Sequence, residues 1–175
     1  MSLVAVVALG AVLIFVSRND RAVAEAPILG DHWHAAVGIY MCGDFVPNPN
    51  DAKQDVSGIH SHGDGLMHIH PFGTRYTGEG ANLAAFADTV GMEIEDDRLK
   101  LASGEELSNG DDCGGRPGQV QVKVWESNAD QQGRLLEGGF ADYAPQDGSM
   151  FTIAFVPEGT DIPRPPSAGN APTDV

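Results

Sequence analysis

Imidazole is the commonest side-chain metal ligand, and this chain gathers all six of its histidines into two short stretches. Gly58–Phe72 reads GIHSHGDGLMHIHPF and carries His60, His62, His68 and His70 as two His-x-His pairs on either side of Gly63-Asp64-Gly65. Asp31-His32-Trp33-His34 supplies a third pair, and no histidine follows His70. On a strand, residues i and i+2 project to the same side, so each pair offers two nitrogens to one ion or one nitrogen to each of two neighbouring ions. An all-nitrogen set suits Zn²⁺ or Cu²⁺, and Ni²⁺ after them, better than the oxygen shells of Mg²⁺ or Ca²⁺. Asp31, Asp44 and Asp64 are available as an added ligand or as carboxylates that orient an imidazole. Two competing readings remain: a polar sheet face of hydrogen-bonded imidazoles, and a pH-responsive surface that repels itself when protonated. Three pairs in one region, with no histidine elsewhere, favour metal over both.

These pairs need strands to hold them. His32–Cys42 alternates, with Trp33, Ala35, Val37, Ile39 and Met41 apolar and His32, His34, Tyr40 and Cys42 on the other side, which predicts a strand with one face on a core. In Gly58–Phe72, Ile59, Met67 and Ile69 fall on one face and the four histidines on the other, with Gly63-Asp64-Gly65 where a tight turn belongs. Pairing residue 62 with 66 sets His60 opposite His68, their Cβ atoms roughly 5 Å apart. The His32–His34 strand is then expected beside this hairpin, completing the site. Asp44–Asp55, with Pro47 and Pro49, reads as a loop. Asn82–Val90 reads as the one helix, capped by Asn82, striped by Leu83, Phe86 and Val90, and ended by Gly91. One short strand is expected near Arg98–Ala102, a turn at Cys113-Gly114-Gly115, a clear strand at Gln119–Trp125, and a central strand at Phe151–Val156, where nearly every residue is apolar.

At 175 residues, the length fits one domain with tails, and 22 Gly and 11 Pro cut the pattern into short pieces that suit strands and turns. The expected fold class is α+β: a small domain dominated by antiparallel sheet, with one short helix, preceded by an N-terminal membrane helix. A formal net charge of −15 argues against nucleic-acid binding and against docking on anionic lipid, and its plainest consequence is solubility. Cys42 and Cys113 allow one intramolecular pairing. Outside the cytoplasm a disulfide is the default, worth roughly 4 kcal/mol in the chain-entropy model. The alternatives are a thiolate ligand or a free buried thiol.

Leu3–Val16 is an apolar run that spans about 21 Å as a helix, short of the roughly 30 Å hydrocarbon core. Ala22-Val23-Ala24 offers a small-x-small cleavage pattern, but the charges in Ser17–Arg21 lie between it and the run. Residues 1–17 are read as an uncleaved single-pass anchor ahead of a cleaved signal. Either way, the domain is expected on the far side of the membrane. Residues 18–30 read as a linker, 31–157 as the extracytoplasmic domain, and 158–175 as a Pro-rich tail that builds no core and is disordered toward its end.

His60-Ser61-His62-Gly63-Asp64 resembles the His-x-His-x-Asp of the metallo-β-lactamase superfamily, but Gly65 stands where that motif ends in histidine and the later ligands are absent. The copper–zinc superoxide dismutases and the cupins likewise require histidines beyond His70. The chain resembles an uncharacterised family of bacterial exported proteins with a single N-terminal membrane segment. The resemblance rests on DHWHAAVGIYMCGDF at 31–45, GIHSHGDGLMHIHPF at 58–72, Cys113-Gly114-Gly115, and FVPEGTDIPRPP at 155–166. It implies the topology and the unity of the histidine motifs, and no activity. The function expected from the residues is Zn²⁺ or Cu²⁺ binding for buffering, delivery, sensing or structure, using some of His32, His34, His60, His62, His68 and His70. The alternatives are a metalloenzyme with an open coordination position and an envelope interaction module that uses no metal.

Overall fold

A computed structural model describes residues 26–170. The expected anchor at 1–17, the cleavage pattern at 22–24 and the end of the tail from 171 lie outside the described residues. Among the described residues, no helix is long and apolar enough to cross a membrane.

The alternating segments fold as the strands they predict. The strands are β1 Trp33–Met41, β2 Asp44–Phe45, β3 Ile59–His60, β4 Leu66–Ile69, β5 Glu93–Ile94, β6 Arg98–Lys100, β7 Glu106–Ser108, β8 Gly118–Trp125, β9 Arg134–Leu135 and β10 Met150–Pro157; helix α1 spans Leu83–Val90. The larger sheet runs β3-β4-β1-β10-β8-β9, with β2 paired to β1, and β5-β6-β7 form a separate meander. Asn82 caps α1 by accepting the Ala85 N–H at 3.1 Å, and Gly91 ends the helix in the left-handed region. The acid-rich stretch that reads as one strand holds three, because Arg98 and Lys100 neutralise Glu93, Glu95 and Glu106 across the meander.

The sheet departs from the antiparallel expectation in one place. β1 and β10 pair in parallel, from Ala36↔Met150 to Met41↔Phe155, while the other strand pairings are antiparallel. Alternation reports which way side chains face, not which way a strand runs. β1 and β10 are far apart in sequence, so no hairpin dictates their direction.

One face of the sheet carries the core. Ala35, Val37, Ile39, Ile59, Met67 and Ile69 join Val120, Val122, Val124, Phe151, Ile153 and Phe155, and Leu83, Phe86 and Val90 of α1 close over them. β10 lies mid-sheet and is buried on both faces through Val156, as its unbroken apolar run predicts.

The second face is covered by the segment after β10, and here the expectation of a tail outside the core fails. Ile162 is only 2% exposed and packs on Ala154 and Val156. The Thr152 hydroxyl donates to the Pro163 carbonyl at 2.8 Å, and the Ser167 hydroxyl donates to the Gly65 carbonyl at 2.7 Å. A Cβ on Gly38 would meet the Phe45 ring at 2.7 Å and Pro165 at 3.0 Å, so glycine is what lets the segment lie flat. Proline lacks the N–H that a sheet ladder needs, yet its restricted backbone costs little entropy to lay across one.

Cys42 and Gly43 form the two-residue turn between β1 and β2, both at positive φ (50° and 113°). Cys42 is bonded to Cys113, with Cα atoms 5.3 Å apart. The pairing takes both sulfurs, so neither cysteine is a thiolate ligand or a free thiol.

Candidate metal centre

The covering segment stops short of one corner of the second face, and the histidines fill that corner. β3 and β4 place His60 opposite His68, the register that the turn spacing predicts. β4 and β1 place His34 opposite His68 in turn. A single cross-strand row therefore reads His60–His68–His34. His70 stands just past the end of β4 and His32 just ahead of β1, one step along from His68 and His34, and His62 follows β3 two residues after His60.

All six rings form one connected patch. Ring centroids lie 4.6 Å apart for His32–His34, 4.8 Å for His34–His68, 4.7 Å for His62–His68 and for His60–His62, 4.5 Å for His60–His70 and 5.5 Å for His32–His70. His34 and His60 are buried, His68 and His70 half-buried, and His32 and His62 exposed. Gly58 borders the patch at φ +79°, where a Cβ would collide with the His70 carbonyl oxygen. Its own carbonyl accepts the His70 N–H at 2.8 Å, which anchors that end of the hairpin.

One ring nitrogen from each of His32, His34 and His68 lies within 4.8 Å of the others, so this trio can hold a metal ion. His68 is oriented by Asp64, whose Oδ2 sits 3.0 Å from Nε2. The Oδ1 of Asp64 accepts the Leu66 N–H at 3.0 Å, so the turn aspartate is pinned at both oxygens. A carboxylate that fixes the tautomer and ring angle of an imidazole is the usual outer partner of a metal-bound histidine.

For His68 and His70 the surroundings favour the neutral ring, the form that binds metal. Burial lowers the pKa of His68 below the ordinary imidazole value; Asp64 opposes this, and the neighbouring His62 and His60 reinforce it. Burial lowers His70 as well, with His60 and His32 pushing the same way. Burial also pushes the Asp64 carboxyl up, but the Leu66 N–H and His68 outweigh it and keep it below the ordinary value.

Two of the three aspartates expected to assist do so poorly. Asp31 accepts the backbone N–H of Ile28 at 2.8 Å and closes a turn ahead of β1. Asp44 pairs with Met41 at the far end of β1 from the histidines. The effective partner that sequence reading missed is Asp55, whose Oδ2 lies 2.7 Å from Nδ1 of His60. Nothing in its spacing marks it, because it reaches the patch from the loop before β3. Asp147, which accepts the His34 backbone N–H at 2.9 Å, was equally invisible, since it arrives from the far side of the sequence.

A shallow groove of about 500 Å³, lined by Gly30, Asp31, His32, His70, Pro71 and Phe72, opens along the edge of the patch. A separate cleft of about 410 Å³, bounded by Ile39, Val46, Met92, Leu101 and Glu105, is mostly apolar and lies away from the histidines. Comparison with models of known families, with curated proteins and with solved structures finds no match.

Proposed function

We propose that this chain is an extracytoplasmic metal-binding protein that holds Zn²⁺ or Cu²⁺ through His32, His34 and His68. The observation that carries the reading is the convergence of three ring nitrogens within 4.8 Å, from β1, the residue just ahead of it, and the paired strand β4. All-imidazole ligation favours these two ions. The Cys42–Cys113 disulfide supports a location outside the reducing cytoplasm, and the resemblance to exported proteins with an N-terminal membrane segment points the same way. On this reading residues 1–17 tether the domain to the membrane.

A second reading is supported by the count of ligands and by the groove. Three histidines would leave a fourth position open on a tetrahedral ion, and the groove lined by His32 offers room for a small molecule beside this ligand. That arrangement suits a metalloenzyme in which the ion activates water.

Titration of the metal-free chain with Zn²⁺ and with Cu²⁺ tests the first reading. Saturable uptake at micromolar concentration, lost in His34→Ala, is expected. A folded chain that takes up neither ion at that level refutes both readings. Azide that shifts the visible spectrum of the Co²⁺ form moves the assignment to the enzyme.

A further inference from the structure

The three histidines left outside the first trio are arranged as a site of their own. Nε2 of His60 lies 3.1 Å from Nε2 of His62 and 3.4 Å from Nε2 of His70. Two nitrogens bound to one tetrahedral Zn²⁺ at about 2.0–2.1 Å stand about 3.3–3.4 Å apart, so each of these two spacings is near that of a pair of ligands on a common ion, and a bound ion would draw His62 and His70 together around His60.

Asp55 supplies an independent observation. Its Oδ1 accepts the Ser57 N–H at 2.8 Å, the Gly58 N–H at 2.8 Å and the Ser57 hydroxyl at 2.9 Å. With Oδ1 fully engaged, Oδ2 is committed to Nδ1 of His60 at 2.7 Å. A neutral His60 that donates Nδ1–H to this carboxylate presents its lone pair at Nε2, the atom that His62 and His70 approach. His60 is thus to Asp55 what His68 is to Asp64.

We propose that the histidine face binds two transition-metal ions side by side, the first on His32, His34 and His68 and the second on His60, His62 and His70. The proposal rests on the reading of the first trio as an ion site. The two trios share no residue and together use every histidine in the chain. Two His-x-His pairs, 32/34 and 60/62, each serve one ion, while 68/70, on and just past the strand between them, gives one ligand to each. The seam between the sites includes the His60–His68 contact, where the rings stack at 5.4 Å and 17°, and the closer His62–His68 contact at 4.7 Å.

The test is calorimetric titration of the full chain with Zn²⁺. The wild type is expected to bind two equivalents. His62 and His32 are both exposed, so their removal spares the core. His62→Ala and His32→Ala should each retain one equivalent, and the double variant none, with circular dichroism unchanged throughout. His70→Asn serves as a second variant of the second trio and should also retain one equivalent. Asp55→Asn should weaken one equivalent ten- to hundredfold and spare the other. In the Cu²⁺-loaded wild type, electron paramagnetic resonance should show dipolar coupling that His62→Ala abolishes. A single equivalent in the wild type that survives His62→Ala overturns the second site and leaves the first standing. A single equivalent lost equally in both single variants overturns the two-site partition in favour of one shared site. No uptake by the folded wild type overturns the proposed function itself.

Discussion

Asp64→Asn is the perturbation that most directly separates a metal centre from a hydrogen-bonded histidine face. Asparagine keeps the oxygen that accepts the Leu66 N–H at 3.0 Å, so the turn between β3 and β4 survives. It replaces the oxygen 3.0 Å from His68 Nε2 with an amide that donates, leaving His68 without the acceptor that fixes its tautomer. The Asp64 side chain is 42% exposed, so solvent competes for its hydrogen bond to His68 and the direct contribution to folding stays below about 1 kcal/mol. The effect on metal binding is larger, because outer-carboxylate removal costs ten- to hundredfold in affinity, or about 1.4–2.7 kcal/mol. The assay is competition for Zn²⁺ against a chromogenic chelator, alongside thermal denaturation of the metal-free protein. Affinity should fall at least tenfold while the metal-free melting temperature moves by only a few degrees. Asp161→Asn, at an exposed acid far from the patch, is the control and should change neither. An affinity for Asp64→Asn within twofold of the wild type, with the fold intact, would show that His68 is not a ligand.

Three further predictions concern the frame that carries the patch. Replacing both Cys42 and Cys113 by serine removes a cross-link between residues 71 apart and should lower stability by about 4 kcal/mol in the chain-entropy model, read from urea denaturation. Ile162→Ala should cost about 2–5 kcal/mol in the same experiment, since the side chain is 2% exposed against Ala154 and Val156; a loss under about 0.5 kcal/mol would mean that the segment after β10 does not pack. Asp96 accepts the Gly139 and Phe140 N–H groups, and these hold its carboxyl below the ordinary value of 3.8. A folded-state pKa below the unfolded one gives stability that is present above pH 3.8 and lost as pH falls through the lower folded value. Asp96→Asn should therefore flatten the acid limb of the stability–pH curve, and an unchanged limb would refute the assignment.

Much of the site was legible because strand geometry turns spacing into position. His-x-His spacing, a Gly-Asp-Gly turn and alternating Ile59, Met67 and Ile69 are enough to set His60 against His68. The apolar run Phe151–Val156 likewise identifies β10 as central. What stayed hidden depends on contacts between distant segments. The parallel pairing of β1 with β10 has no local signature, because a crossover connection leaves no mark like that of a two-residue turn. Asp55 and Asp147 act through their place in space, and an aspartate in a loop reads like any other. The misjudged tail has a compositional cause: IPRPPSAGN lacks periodicity, and the single isoleucine that anchors it carries no pattern.

The covering segment also explains why the histidines can exist as a patch at all. A mixed sheet with apolar residues on both sides needs both faces covered. Here α1 and the meander close the core face, while Ile162, Pro165 and Ser167 close most of the other. Coverage ends beside Gly65, the residue after Asp64, so the corner formed by β3, β4 and the start of β1 is left to polar side chains. Six imidazoles crowded at ring distances of 4.5–5.5 Å are costly there if several are protonated, since neighbouring positive charges repel within a half-buried surface. A bound cation reverses that balance. It would take ring nitrogens that now contact one another as its ligands, and Asp55 and Asp64 would compensate part of the added charge from the outer side of His60 and His68. The same acidic partners give an empty patch no comparable gain beyond orienting two rings. The stability of the metal-loaded protein should accordingly exceed that of the metal-free form by an amount that grows with free ion concentration, as mass action requires of any ligand that binds only the folded state. A melting temperature unmoved by Zn²⁺ and by Cu²⁺ at saturating concentration would leave the histidines as a polar face and nothing more.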